Sequence, residues 1–260
     1  MNQKIISILL SALFSMNAFA DVVVKPVDYT SGGVQMEGMV AYDENRHGHY
    51  PAILIVHDWM GLSDFTIEKS KKLAKEGYVA FAVDIYGKGN RPKDQQEAAE
   101  YAKKFKDDRK LLRERMNAAY NAVVAMKNVN RNKILVIGYC FGGTAALELA
   151  RSGAPLIGTV SFHGGLSSPT PEDAKNIKGS VLILRGGDDP FVPPAEVEAF
   201  KKEMQDANVD ATFITYQGAV HAFTNPKAGN DNTKGAAYNA KADKDSWQAF
   251  ESFLKEILAK

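Results

Sequence analysis

The chain's only cysteine, Cys140, sits in the run Gly138-Tyr139-Cys140-Phe141-Gly142-Gly143. Glycines two residues to either side suit a nucleophile elbow, where a strand end and a helix start press together and leave no room for Cβ atoms. The apolar stretch Lys133 to Ile137 before it reads as the strand, and Thr144 to Ala150 after it as the helix. A buried, inert thiol beside a glycine-rich turn is the plainer meaning of the same letters. A thiol nucleophile needs two further groups: a base to take its proton and a third residue to orient that base.

Both types follow downstream. Gly186-Gly187-Asp188-Asp189-Pro190-Phe191-Val192 succeeds one strand-like run, and Gly218-Ala219-Val220-His221-Ala222-Phe223 succeeds the last. The order Cys140, Asp189, His221 is the nucleophile, acid, histidine order of α/β-hydrolases. Asp188 is a rival acid that spacing does not separate from Asp189. Acyl transfer also calls for amides that hold an oxyanion, from the residue after the nucleophile and from an earlier strand-end loop. Phe141 supplies the first, and Trp59 in His57-Asp58-Trp59-Met60-Gly61 the second, with Asp58 placed to affect the thiol's protonation. His163 also ends a strand, as a pocket residue or as a hydrogen-bonded structural histidine.

Elements that alternate in type must carry these groups. Val34 to Tyr42, Pro51 to His57, Tyr78 to Asp84, Leu156 to Phe162, Val181 to Leu184 and Ala211 to Tyr216 read as strands. Helices are expected from Ser63 to about Glu76, over Asp94 to Met126 as one or two segments, after Pro193-Pro194, and from Asp245 to Leu258. Continuous apolar strands alternating with helices imply a mostly parallel sheet covered on both faces, with ligands beyond the strands' carboxyl ends. The Gly- and Asn-rich segment 225–239 is a surface loop or a lid.

Residues 1–20 read as a cleaved signal peptide: Lys4, an apolar stretch from Ile5 to Phe14, and the small-residue site Ala18-Phe19-Ala20. The stretch falls short of the roughly 18 residues a membrane span needs. Export to the periplasm or the medium is therefore expected, with residues 21–260 forming a single domain. A lone cysteine makes no intrachain disulfide, so a thiol in an oxidising compartment needs burial or a chemical reason. The formal charge of the 260-residue chain is +1, and its most basic segment, Tyr101 to Arg115, mixes lysine and arginine with acids as a solvated helix face does. Nucleic acid, stable membrane insertion, a metal site and a nucleotide cofactor are not expected.

Together, His57 to Gly61, Asp84-Ile85-Tyr86, Gly138 to Gly143, Gly186 to Val192 and His221-Ala222-Phe223 resemble the dienelactone hydrolase family of α/β-hydrolases, from about Pro51 to the C-terminal helix. The resemblance implies an eight-stranded, mainly parallel sheet, selects Asp189 over Asp188, and implies cofactor-free, cysteine-dependent hydrolysis of a small ester or lactone. Members acting on dienelactone typically have glutamate at the position of Asp58, and arginines for the substrate carboxylate at the positions matched by Lys88 and Asn225. Lysine keeps the charge without the bidentate fork, and asparagine loses it. The expected function is a Cys140-His221-Asp189 hydrolase. The alternatives are a ligand-binding protein on a hydrolase scaffold, and a redox-sensing thiol.

Overall fold

The computed structural model describes residues 20–260. The expected signal segment lies outside the described residues except for Ala20. Eight strands form one sheet: β1 (Val22–Ser31), β2 (Val34–Asp43), β3 (Tyr50–Val56), β4 (Val79–Val83), β5 (Val129–Tyr139), β6 (Gly158–Phe162), β7 (Ser180–Gly186) and β8 (Ala211–Tyr216), in the spatial order β1-β2-β4-β3-β5-β6-β7-β8. The six from β3 to β8 run parallel, while β1 and β2 form an antiparallel hairpin joined to β4 through β2. This is the α/β-hydrolase sheet that the sequence led us to expect.

Six α-helices cover the sheet: α1 (Asp64–Lys75), α2 (Gln95–Asp107), α3 (Arg109–Val124), α4 (Phe141–Arg151), α5 (Pro194–Asp206) and α6 (Ala240–Ala259). Alternation along β3 shows how the two faces divide. Ala52, Leu54 and Val56 pack with Phe105 of α2, Met116 of α3 and Leu149 of α4. Ile53 and Ile55 pack on the opposite face with Leu73 of α1 and Phe250 and Leu254 of α6. A parallel strand buried on both faces must be apolar at every position, so β3 reads as a continuous run. Truncating a core side chain such as Leu54 to alanine costs about 2–5 kcal/mol.

Two expectations about the elements change, and one of two open alternatives is decided. The hairpin strand β1 went unread, because its pairing with β2 leaves Lys25, Pro26, Asp28 and Thr30 exposed and breaks any apolar run. The region from Asp94 to Met126 is two helices, divided at Asp108, whose side chain accepts the Leu111 amide and caps α3. Helix α6 starts at Ala240, five residues before the expected Asp245, because Asn239 caps it through the Ala242 amide.

Parallel strands direct all their carboxyl ends to one edge, and the loops after β3, β5, β6, β7 and β8 gather there with His57, Cys140, His163, Asp189 and His221. A buried ion network braces that side. Arg151, without solvent exposure, meets Glu148 at 3.0 Å, the two oxygens of Glu203 at 2.8 and 2.9 Å, and the Leu166 carbonyl at 3.0 Å. It ties α4 and α5 to the loop that follows His163.

Candidate active site

Strand β5 ends in a turn that only its glycines allow. Cys140 has φ 55° and ψ −117°, in positive-φ space that costs a residue with a Cβ about 1–3 kcal/mol. A Cβ on Gly138 would lie 1.9 Å from the Gly142 carbonyl oxygen, and one on Gly142 would lie 2.4 Å from the Val56 oxygen and 2.5 Å from the His57 oxygen. The second contact shows what the elbow presses against: the end of β3 and the start of the loop carrying Asp58 and Trp59. The thiol is partly exposed.

Two further non-glycine residues at this edge have positive φ, His163 at 43° and Ala222 at 56°. Strain gathered around one cleft is a mark of a functional site.

His221 follows β8. Its Nδ1 lies 2.8 Å from Asp189 Oδ2, so Nδ1–H donates to the carboxylate and Nε2 is left unprotonated in the neutral ring, with Cys140 close enough for its charge to act on the imidazole. Asp189 Oδ1 accepts the Phe191 amide at 2.9 Å. Asp189 is buried and contacts His221, whereas Asp188 is exposed, so geometry separates the two neighbours. Burial of the imidazole opposes its charged form. Coulombic attraction from Cys140 and the hydrogen bond that the ring donates to Asp189 outweigh that and hold His221 up to about 10.

The loop after β3 is fixed by His57, a residue whose role the sequence did not disclose. His57 Nε2 accepts the Ile85 amide at 3.3 Å, so Nδ1 carries the proton and donates to the Asp58 carbonyl at 2.6 Å. Complete burial pushes His57 down to about 4, which keeps it neutral and keeps both bonds. Asp58 is turned into its own loop and accepts the Met60 amide at 2.9 Å; burial raises its carboxyl above the ordinary range, against that amide and the nearby His221. The Tyr86 hydroxyl donates to the Trp59 carbonyl at 2.9 Å. The amides of Trp59 and Phe141 donate to no protein acceptor, which leaves both for an oxyanion.

Asp84, at the end of β4, is the other organiser missed from sequence. Its buried carboxylate accepts the amides of Glu37, Tyr86 and Gly87 at 3.2 Å each and pairs with Arg91 at 3.4 Å. In the sequence it stood as an acid after an apolar strand, within the Asp84-Ile85-Tyr86 stretch that carries the resemblance, with no partner to give it a role.

The remaining expected residues have other partners. Lys88 Nζ lies between Asp28 and Glu37 of the β-hairpin, 2.8 Å from each. Asn225 Oδ1 accepts the Lys227 amide at 2.9 Å within its own turn. His163 is buried, bonds Thr224 Oγ1 through Nε2 at 2.9 Å, and stands edge-on to the His221 ring at a centroid distance of 5.2 Å. Burial, together with the charge on His221, holds it well below the usual histidine range, so it is neutral. The 225–239 loop is pinned to the histidine it surrounds, because the His221 amide donates to Gly235 and its carbonyl accepts from Ala237.

Comparison with known proteins places this arrangement. A family model described as the dienelactone hydrolase family matches residues 36–258. A Saccharolobus solfataricus protein named "Putative carboxymethylenebutenolidase" is 29% identical, with 90% of this chain and 98% of that one covered. A Bradyrhizobium protein named "Probable 2-oxo-3-(5-oxofuran-2-ylidene)propanoate lactonase" is 28% identical, over 76% of this chain and 84% of its own. The crystal structure of a dienelactone hydrolase-like promiscuous phosphotriesterase from metagenomic libraries superposes with a TM-score of 0.87 at 36% identity, covering 91% of this chain and 98% of that one. The chain belongs to the dienelactone hydrolase family and is an ester or lactone hydrolase.

Proposed function

We propose that this hydrolase works through Cys140 as nucleophile, His221 as proton carrier and Asp189 as the group that orients and charges the imidazole. The observation that carries the reading is the 2.8 Å bond between His221 and a buried Asp189, beside a cysteine seated on a strained elbow. His221, raised to about 10 beside the sulfur, is the group that takes and holds the cysteine's proton as the sulfur attacks.

The thiolate attacks the carbonyl carbon, and the electron pair of the C=O bond moves onto oxygen, where the Trp59 and Phe141 amides receive it. Collapse breaks the bond to the leaving oxygen, which takes the proton from His221 Nε2. In a lactone the ring opens and the alcohol stays tethered to the acyl group. Water then gives a proton to neutral His221 and its hydroxide to the thioester carbon, which releases the acid and regenerates the ion pair. Every atom used comes from substrate, water or these residues.

Intact-mass analysis after exposure to a panel of small esters and lactones tests the scheme. The native protein should gain an acyl mass mapped to Cys140, and Cys140→Ala should gain none and lose turnover. Full activity in Cys140→Ala refutes the mechanism.

We also read the chain as exported, on the support of Lys4, the apolar Ile5–Phe14 stretch and Ala18-Phe19-Ala20. Since β1 starts at Val22, cleavage after Ala20 would leave every described strand intact. A periplasmic or secreted product whose mass starts at Asp21 is the expected result, and an uncleaved cytosolic product overturns it.

A further inference from the structure

Phe191 is the most exposed large apolar side chain among the described residues, at 59%. Its ring stands edge-on to His221, with centroids 5.3 Å apart and planes at 81°. Asp189 Oδ1 accepts its amide, and Gly235 lies so close to the ring that a Cβ there would sit 3.3 Å from it. An aromatic side chain has only two torsions to fix, so such a surface left open to solvent beside His221 loses little entropy when a flat group settles on it.

The charges around the site disfavour the other common kind of handle. A substrate carboxylate needs a free cation, but Lys88 is neutralised by Asp28 and Glu37, and Arg91 spends NH1 on Asp84 and the Asn90 carbonyl and Nε on the Leu62 carbonyl. Asn225 carries no charge.

We propose that the site takes uncharged esters or lactones bearing an aromatic or similarly flat apolar group, which packs on Phe191 next to His221. This rests on the reading of Cys140 as nucleophile and adds its substrate class.

The test compares kcat/KM for phenyl acetate and ethyl acetate in the native protein, Phe191→Ala and Phe191→Tyr. Intrinsic ester reactivity cancels in each variant-to-native ratio. Phe191→Ala should lose about tenfold on the phenyl ester, mainly through KM, and less than about threefold on the ethyl ester, while Phe191→Tyr stays within about threefold on both. Equal losses on both esters would mean that the ring only orients His221, and would overturn the proposal. For charge, 4-nitrophenyl butyrate should exceed mono-4-nitrophenyl succinate by about tenfold or more, in Lys88→Ala as in the native protein. A preferred succinate ester also overturns it. If the native protein turns over none of these, the nucleophile reading has failed. The seat on Phe191 is then judged by saturation-transfer NMR, which should show phenyl acetate bound to Cys140→Ala and lost in Cys140→Ala/Phe191→Ala, and identical signals in both proteins refute it.

Discussion

Asp189→Asn isolates the charge and the hydrogen-bond polarity of one atom pair. Native Asp189 accepts twice, from His221 Nδ1–H at 2.8 Å and from the Phe191 amide at 2.9 Å. Asparagine has nearly the same shape but only one accepting oxygen. If that oxygen faces His221, its NH2 meets the Phe191 N–H, donor against donor. If it faces Phe191, its NH2 donates to Nδ1, and the imidazole proton moves to Nε2, where the ring can no longer accept from the thiol. The lost charge-assisted bond is worth about 1.5–3 kcal/mol, or roughly 10- to 150-fold in kcat/KM. The shape of the pH profile must change as well. Asp189 raises His221, so its loss moves the alkaline limb of kcat/KM downward from about 10. The same sign governs stability. A histidine raised above its unfolded value contributes fully below about 6.5, and that contribution is lost as pH rises through about 10. The stability gap between native and Asp189→Asn protein should therefore close across that window. Stopped-flow hydrolysis of 4-nitrophenyl acetate from pH 5 to 10.5, with thermal melts at the same pH values, measures both. A variant within threefold of native and with an unmoved alkaline limb would refute the reasoning.

Other perturbations probe the frame around Cys140, His221 and Asp189. Gly142→Ala drives a Cβ into the backbone oxygens of Val56 and His57; it should cost about 1–3 kcal/mol in denaturant unfolding and about 100-fold in kcat/KM, because the Trp59 loop moves with those atoms. Arg151→Met leaves the buried Glu203 without its cation and Glu148 with Arg113 alone, which should cost about 3–5 kcal/mol and lower Tm by about 10 °C in calorimetry. His57 is depressed to about 4 by burial. The unfolded chain therefore takes up its proton first, and about 3 kcal/mol of stability should drain away as pH falls from about 6.5 to 4. His57→Asn should flatten that part of the pH–stability curve, and an unchanged slope refutes the assignment.

Several features were legible because they are local. The glycines around Cys140 report a turn whose sterics are set within six residues, and the apolar runs of β3, β4 and β8 report burial through their own period. Asp94 to Met126 read as helical for the same reason. Its division at Asp108 was less legible, because a capping aspartate looks like any polar residue on a helix face until its side chain is seen accepting the Leu111 amide.

The chain order Cys140, Asp189, His221, and the parallel sheet that gathers these three at one edge, were determined by the sequence itself, since elbow glycines and strand periodicity act over a few residues. Tertiary structure decided the partners. Lys88 meets Asp28, 60 residues earlier, on a hairpin whose alternation hid it. His57 staples one loop to another 28 residues on. Asp189 prevails over Asp188 because burial and a 2.8 Å contact favour one of two identical carboxylates. Phe191 became visible as a seat for substrate only when its exposure and its place beside His221 could be seen. Pairing and exposure depend on distances through space, which spacing along the chain does not encode one residue at a time.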